Sequence, residues 1–89
     1  MSRLYRLEFT PAAKRQLDAI PHAAFHRIHA RLLSLAENPR PHGVEMLAGP
    51  ERFLRLRVGD YRVVYRVDDE QLVVLVAKVG HRRDVYRRR

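Results

Sequence analysis

The most constraining feature of the sequence is the stretch FLRLRVGDYRVVYRV, which spans residues 53–67. Apolar and charged residues alternate on both sides of Gly59-Asp60, a pattern that favours two strands with one buried face each. Glycine at the first of two central residues is typical of a type II′ hairpin turn. The sequence therefore predicts an antiparallel hairpin in which Val58 lies opposite Tyr61, and this pair fixes the register of the others.

The predicted register divides the side chains of the hairpin between two faces, and we expect the apolar face to lie beneath the helices. Four residues share the opposite face: Arg55, Arg57, Arg62 and Arg66, with Phe53 opposite Arg66. Like charges across a ladder are destabilising, and at ~4 Å they repel by roughly 1 kcal/mol in water and about 4 kcal/mol at a protein surface. We interpret this face as an anion-binding surface; the alternative is a solvated face, because arginine stems also pack on apolar surface.

The last predicted strand adds an apolar strip to the arginine face. Counting along the strand puts four of its residues on that side: Val73, Leu75, Ala77 and Val79. We expect no carboxylate of these strands to point to the same side. The strip is interpreted as a contact surface for bases or for a partner chain.

The first half of the chain predicts a strand followed by two helices. The strand is expected over residues 3–9, and Thr10-Pro11 marks the start of a helix that runs to about residue 19. A second helix follows Pro21, has one apolar stripe and stops at Asn38-Pro39.

The whole pattern predicts an α+β fold. Residues 39–50 hold three prolines and two glycines and are expected to be a loop, and residues 72–79 are the last strand. The order is then β-α-α-β-β-β: an N-terminal strand, a helical hairpin and a three-stranded antiparallel meander. A chain of 89 residues is expected to form a single domain over residues 1–89.

The charge of the chain is strongly positive and unevenly distributed. The formal net charge is +8, of which residues 52–89 contribute +6 and residues 1–51 only +2. Such a field favours a polyanionic partner. The chain has no cysteine, no apolar run that could span a bilayer and no signal-peptide pattern, so we expect a cytoplasmic protein without membrane contact.

The sequence predicts no metal site and no cofactor. His22, His26 and His29 share one helical stripe, but no nearby carboxylate would orient their rings, and a solvated face explains them. The acidic residues are scattered rather than paired as a two-metal nuclease requires. No glycine-rich phosphate loop is present.

The C-terminal segment VGHRRDVYRRR brings further groups that suit phosphate chemistry. Arg82 and Arg83 could neutralise the charge of a phosphorane-like transition state, and Tyr86 could move a proton. This combination indicates a metal-free phosphodiesterase site near the end of the sheet. The alternative is that Tyr86 is an aromatic anchor that packs the tail down.

Motifs along nearly the whole chain resemble the RelE/ParE toxins of bacterial and archaeal toxin–antitoxin pairs. They are L-x-x-x-P-R from residue 35, M-L-x-G from residue 46, G-D-Y-R-V-V-Y-R-V-D-D from residue 59 and V-x-H-R-R-D-V-Y-R from residue 79. The resemblance implies a ribosome-dependent endoribonuclease of the RelE type, which uses no metal. Such enzymes cut messenger RNA by attack of the substrate's own 2′-hydroxyl on the adjacent phosphate.

The resemblance also implies roles for individual residues. Arg62 resembles the arginine that stabilises the scissile phosphate, Arg82 the one that assists the leaving group, and Tyr86 the tyrosine that stacks on or deprotonates the substrate. Arg55 stands where the family has a lysine, and Phe53 replaces a second lysine, which leaves the general base unassigned. The predicted catalytic residues are thus Arg62, Arg82, Tyr86 and Arg55. We expect four further basic residues to bind RNA: Arg57, Arg66, Arg83 and Lys78.

Two other functions stay open on the sequence alone. ParE-type relatives share the fold but poison DNA gyrase without a catalytic set, and retention of Arg62, Arg82 and Tyr86 favours the RelE type. The third reading is an inactive module that serves only as an antitoxin partner. In each case the expected partner is a cognate, RelB-like antitoxin segment that wraps the helices and masks the arginines. The nuclease would in addition bind the ribosome and messenger RNA.

Overall fold

Two helices follow the first strand in the computed structural model, which describes residues 4–81. β1 (Arg6–Phe9) leads into α1 (Pro11–Asp18) through Thr10, whose hydroxyl accepts a hydrogen bond from the Ala13 amide at 3.1 Å. This contact caps the helix, and proline in the first turn costs no hydrogen bond because that N–H would have no partner in the helix.

The second helix is longer and carries the main apolar stripe. α2 (His22–Glu37) begins after Pro21 and ends where Asn38 turns extended ahead of Pro39. Its buried residues recur at intervals of three or four: Ala24, Ile28, Leu32 and Leu35. Among residues 4–81, neither helix has the length and apolar character needed to cross a membrane.

Five strands form one sheet in the order β1-β5-β4-β3-β2. The second half of the chain contributes β2 (Glu45–Met46), β3 (Leu54–Val58), β4 (Tyr61–Asp68) and β5 (Val73–His81). β1 pairs with β5 in parallel, and the other pairs are antiparallel. The predicted α+β arrangement of strand, helical hairpin and meander is confirmed. β2 is an addition, because the sequence predicts a loop throughout residues 39–50.

The core lies between the helices and one face of the sheet. The sheet contributes these buried side chains: Leu54, Leu56, Val58, Val63, Tyr65, Val74, Val76 and Val79. The buried stripe of α2 and the fully buried Ala13 of α1 pack against them. Since both helices join this cluster, the opposite face of the sheet, which we call the open face, carries neither helix.

The β3–β4 hairpin has the register that the sequence predicts. Val58 pairs with Tyr61, and Arg57 pairs with Arg62. Gly59 adopts a φ of +60°, while Asp60 has no positive φ, as a type II′ turn requires. Arg55, Arg57 and Arg62 therefore lie on the open face.

The β4–β5 ladder contains a β-bulge that the sequence does not predict. Val64 pairs with Lys78, but its neighbour Tyr65 pairs with Val76, which leaves Ala77 as an extra residue in β5. The bulge reverses the alternation of side chains from Ala77 onward. Lys78 consequently lies on the open face.

The bulge changes which residues of the predicted apolar strip lie on the open face. Val73 and Leu75 do lie on the open face, where they pair with Asp68 and Arg66. Val79, however, pairs with Val63 and is buried in the core, so its predicted position on the arginine face is wrong.

Two side chains, from the N-cap and from the body of α1, form hydrogen bonds with backbone groups at the bulge. The Thr10 hydroxyl donates to the Ala77 carbonyl at 2.8 Å, and the Gln16 side-chain oxygen accepts from the Val79 amide at 2.7 Å. An extra residue in a strand leaves backbone groups without ladder partners, so such contacts stabilise it. The N-cap of α1 thereby also fixes the face on which Lys78 lies.

Candidate functional site

Three arginines of the β3–β4 hairpin line one cleft on the open face. The cleft has a volume of about 190 Å³, and its lining consists of Gly43, Glu45, Arg55, Arg57 and Arg62. The three guanidinium groups come from adjacent strands, because Arg57 pairs directly with Arg62 and Arg55 lies two residues before Arg57. The cleft is thus a concave surface of mostly positive charge, open to solvent on one side.

Arg62 forms the inner part of this cleft. It is 7% exposed, the only charged residue among those described that is buried, whereas Arg57 opposite it is exposed. Its Nη1 donates to the Tyr61 carbonyl at 3.3 Å. On its other side Arg62 pairs with Gly80, which has no side chain. A buried guanidinium is held in a restricted orientation, so Arg62 is preorganised to present charge to an anion.

Arg55 pairs with a carboxylate that sequence reasoning missed. Glu45 of β2 lies directly across the ladder from Arg55, and its Oε1 accepts a hydrogen bond from Nη2 of that arginine. The expectation covered only the predicted strands, and Glu45 brings a carboxylate to the arginine face from a segment that was predicted to be a loop. No sequence signal could have found this pair, because a strand of two residues has no alternating pattern to recognise.

Arg66 and Lys78 lie outside the cleft. Arg66 pairs with Leu75 at the far end of the hairpin, and its Cζ lies 5.9 Å from the centroid of the Phe53 ring. It lines a separate cleft of about 240 Å³ with these residues: Arg6, Glu8, Asp68, Gln71, Val73 and Leu75. Lys78 is exposed on the open face, where it pairs with Val64. The structure thus brings together three of the four arginines.

The predicted tail residues cannot be placed in this site. Arg82, Arg83 and Tyr86 lie outside the described residues, so their roles stay predictions. The strand that leads to them ends at His81, two positions from Val79 and directly across from Tyr61.

The three histidines of α2 are exposed to solvent, in agreement with the interpretation of this stripe as a solvated face. Nε2 of His22 and Nε2 of His26 are 3.1 Å apart, and the ring of His29 stacks on Phe25 with centroids 5.6 Å apart. Within residues 4–81, no group of three or more histidines and carboxylates is arranged to hold a metal ion.

The clear pKa shifts in the described part of the chain belong to contacts that hold the fold. Burial raises the pKa of Tyr65 to about 12, and its hydroxyl donates to the Pro39 carbonyl at 2.6 Å. The bidentate hydrogen bond from Arg40 lowers the pKa of Asp69, with a further contribution from the Tyr5 hydroxyl. Neither group lines the arginine cleft.

Residues 7–86 match a family model described as the ParE toxin of the type II toxin–antitoxin system parDE. Toxin RelG of Mycobacterium tuberculosis is 34% identical over 89 residues, which cover 94% of this chain and 98% of RelG. The chain belongs to the RelE/ParE toxin superfamily. The mRNA interferase toxin RelE of Escherichia coli is 30% identical over 79 residues, 88% of this chain and 83% of RelE.

Solved structures of RelE toxins have the same fold. The RelE–RelB complex of Pyrococcus horikoshii matches with a TM-score of 0.79 at 28% identity, over 89% of this chain and 96% of that one. The RelBE2 complex of M. tuberculosis matches with a TM-score of 0.78 at 27% identity, over 89% and 92%. The family model carries the ParE name, but full-length relatives of RelE type make this chain a type II toxin of the RelE family.

Proposed function

We propose that this toxin is a ribosome-dependent endoribonuclease that cuts messenger RNA without a metal ion. The observation that carries the proposal is the arginine cleft, in which Arg55, Arg57 and Arg62 face one open concavity. The E. coli relative is named an mRNA interferase toxin, which supports the same reaction class. The positive charge that phosphoryl transfer requires comes from guanidinium groups.

The proposed reaction is an internal transfer within the substrate. The 2′-oxygen of one nucleotide forms a bond to the adjacent phosphorus while the bond from phosphorus to the 5′-oxygen of the next nucleotide breaks. The products are a 2′,3′-cyclic phosphate and a free 5′-hydroxyl, so a base removes the 2′-proton and an acid supplies one to the leaving oxygen. Arg62 stabilises the charge that develops on the phosphoryl oxygens.

The remaining roles rest on the resemblance to the family for Arg82 and Tyr86 and on charge and position for the other residues. Arg82 assists the leaving group, Tyr86 stacks on or deprotonates the substrate, and Arg83 holds the backbone. Arg55 contributes positive charge beside the phosphate, and Glu45 fixes its orientation through their ion pair. Arg57, Arg66 and Lys78 lie exposed on the same face and bind the RNA that flanks the scissile phosphate.

A cognate antitoxin is the proposed cellular partner. The P. horikoshii and M. tuberculosis structures are complexes of a RelE toxin with its antitoxin. A chain with a net charge of +8 favours an acidic or amphipathic segment, because such a segment neutralises the arginines while it covers apolar surface. The antitoxin would then compete directly with RNA for the open face.

Induction of the toxin in cells, followed by mapping of transcript ends, tests this function. The proposal expects new 5′-hydroxyl ends within translated regions and a rapid stop of protein synthesis. An Arg62→Ala variant should produce few such ends, and Arg15→Ala, which changes an exposed residue of α1, should resemble the wild type. Intact transcripts with continuing translation would contradict the proposal.

Inhibition of DNA gyrase is the second candidate, and the ParE description of the matching family model favours it. A gyrase inhibitor would stall replication and induce the DNA damage response while transcripts stay intact. Tyr86→Phe would then have no effect on toxicity. An inactive module, by contrast, would be tolerated on overexpression.

A further inference from the structure

The open face carries a second feature next to the arginine cleft. Four residues form one row across the sheet: Phe53, Arg66, Leu75 and Glu8. We propose that Phe53 and Arg66 form a platform on which one base of the bound RNA stacks. This inference rests on the proposed function, since it extends the same substrate beyond the cleft.

The geometry of the pair suits a base. The guanidinium of Arg66 lies over the ring of Phe53, with its Cζ 5.9 Å from the ring centroid. Arg66 is exposed and Phe53 is half-buried, so the pair is held at the surface and is accessible from solvent. Bases splayed out of a single strand stack on aromatic rings and on guanidinium planes, which are the two groups present here.

The position of the platform matches the spacing of a single strand. Phe53 lies two residues before Arg55, which lines the arginine cleft, so their Cα atoms are separated by about 7 Å along the strand direction. That distance is close to one nucleotide step in an extended chain. A phosphate bound in the cleft would therefore place a neighbouring base at Phe53.

Apolar and charged side chains surround the platform, and the carboxylate of Asp68 in the same cleft accepts hydrogen bonds from the Glu70 and Gln71 amides. Leu75 and Val73 lie beside Arg66 on the open face. Glu8, the nearest carboxylate in the row, already accepts a hydrogen bond from Arg6 at 3.0 Å. Because that ion pair offsets the charge of Glu8, the carboxylate does not strongly repel an approaching nucleotide.

The platform explains what a phenylalanine does at a position next to a phosphate site. Lysine would add another point charge for the backbone, whereas phenylalanine offers a flat apolar surface for a base. The chain therefore exchanges electrostatic affinity for contact with a base. We expect the strongest contact with a purine, which has the larger stacking surface.

A binding cycle with abasic RNA tests the platform. The probe is a fluorescent seven-nucleotide RNA whose 2′-O-methyl groups prevent cleavage. It is compared with a series of otherwise identical RNAs, each of which has a single abasic site at a different position. For the wild-type toxin, one abasic position should weaken binding by about 5- to 150-fold, the range expected for one stacked base. Phe53→Leu should bind the intact RNA as weakly as the wild type binds that abasic RNA, and the abasic site should cost the variant nothing further.

Two more variants separate stacking from folding and charge. Phe53→Tyr keeps a flat ring and should bind like the wild type, while Arg66→Lys keeps the charge of an exposed residue but removes the planar group, and should lose part of the abasic effect. Thermal unfolding of each variant confirms that it is folded. Equal abasic effects in the wild type and Phe53→Leu would overturn the platform, as would the absence of any binding to the RNA.

A parallel cleavage assay separates this inference from the proposed function. A toxin that cleaves messenger RNA on ribosomes but shows no coupling between Phe53 and any base has the function without the platform. A toxin that fails to cleave yet shows the coupling has the platform without the nuclease activity.

Discussion

At the scale of single residues, the pairing of Arg57 with Arg62 favours binding of an anion at the expense of the stability of the fold. The two cations pair directly across the ladder, and like charges in that position destabilise a sheet. A fold selected for stability alone would place a neutral or acidic residue opposite Arg62. The pair therefore supports an anion as the natural occupant of the cleft.

Replacement of Arg57 should show this conflict directly. Arg57→Thr keeps a residue that favours strands and removes the repulsion, so the free energy of unfolding should rise by roughly 0.2–1 kcal/mol. Affinity for RNA should fall at the same time. Urea unfolding at low and high salt measures the first effect, and the gain should shrink at high salt because screening already weakens the repulsion. A variant that loses stability would contradict this account of the pair.

Tyr65 provides a test of the core at the same scale. Burial raises the pKa of its phenol to about 12, whereas an unfolded tyrosine titrates near 10. Between about pH 10 and 12 the unfolded chain releases the proton first, so the free energy of unfolding should fall with rising pH, by up to about 1.4 kcal/mol per pH unit. Below pH 10 this contribution is fully present.

Tyr65→Phe isolates that contribution. At pH 8 the variant should be about 1–3 kcal/mol less stable, because it leaves the Pro39 carbonyl without the phenol donor. The difference in free energy of unfolding between variant and wild type should shrink as the pH rises to 11 and above. Urea titrations at both pH values measure it, and a difference that does not change with pH would argue against a buried, hydrogen-bonded phenol.

At the scale of secondary-structure elements, α1 and β5 depend on each other. Thr10 caps the helix and binds the Ala77 carbonyl, while Gln16 binds the Val79 amide. These contacts hold the bulge that directs Lys78 to the open face and Val79 into the core. The side chains of Thr10 and Gln16 thus help to determine the face on which Lys78 lies.

Gln16→Ala should weaken this junction. The Val79 amide would lose its partner in a partly buried place, which costs about 1–3 kcal/mol. Amide hydrogen exchange should accelerate at β5 residues near the bulge more than at the β3–β4 hairpin. Lys14→Ala, at an exposed position of the same helix, serves as the control. Equal exchange in Gln16→Ala and the control would contradict the role of Gln16.

The sequence predicts elements with a strong pattern and misses those without one. The hairpin register follows from alternation and from Gly59, and both helices begin and end at proline and N-cap signals that act locally. The bulge at Ala77 is hidden because β5 is apolar on both faces, so a shift of one residue changes no visible pattern. Glu45 is hidden because its pairing with Arg55 depends on a tertiary contact.

At the scale of the whole molecule, the positive charge is concentrated in the half of the chain that builds the cleft. Residues 52–89 carry +6 of the net +8. Family membership could be predicted from motifs spread over the chain, because each motif specifies either a local backbone conformation or the position of a charged side chain. The target of the toxin could not, because RelE and ParE members share the hairpin that carries most of the motifs.

Binding of RNA should therefore depend steeply on salt. If Arg55, Arg57, Arg62 and Lys78 each contact one phosphate of a single strand, the logarithm of affinity should fall against the logarithm of salt with a slope of about −3. Arg57→Thr should reduce the magnitude of the slope by about 0.7. Fluorescence anisotropy with a single-stranded RNA measures both, and affinity that is insensitive to salt would contradict an electrostatic interface.

The most direct measurement is the single-turnover rate of messenger RNA cleavage on ribosomes paused at a defined codon. Arg62→Ala should lower the rate by about 10²–10³-fold, because the transition state loses its charge partner. Arg15→Ala should cleave at the wild-type rate. Cleavage by Arg62→Ala at the wild-type rate, or no cleavage by the wild type, would contradict the assignment of the arginine cleft as the catalytic site.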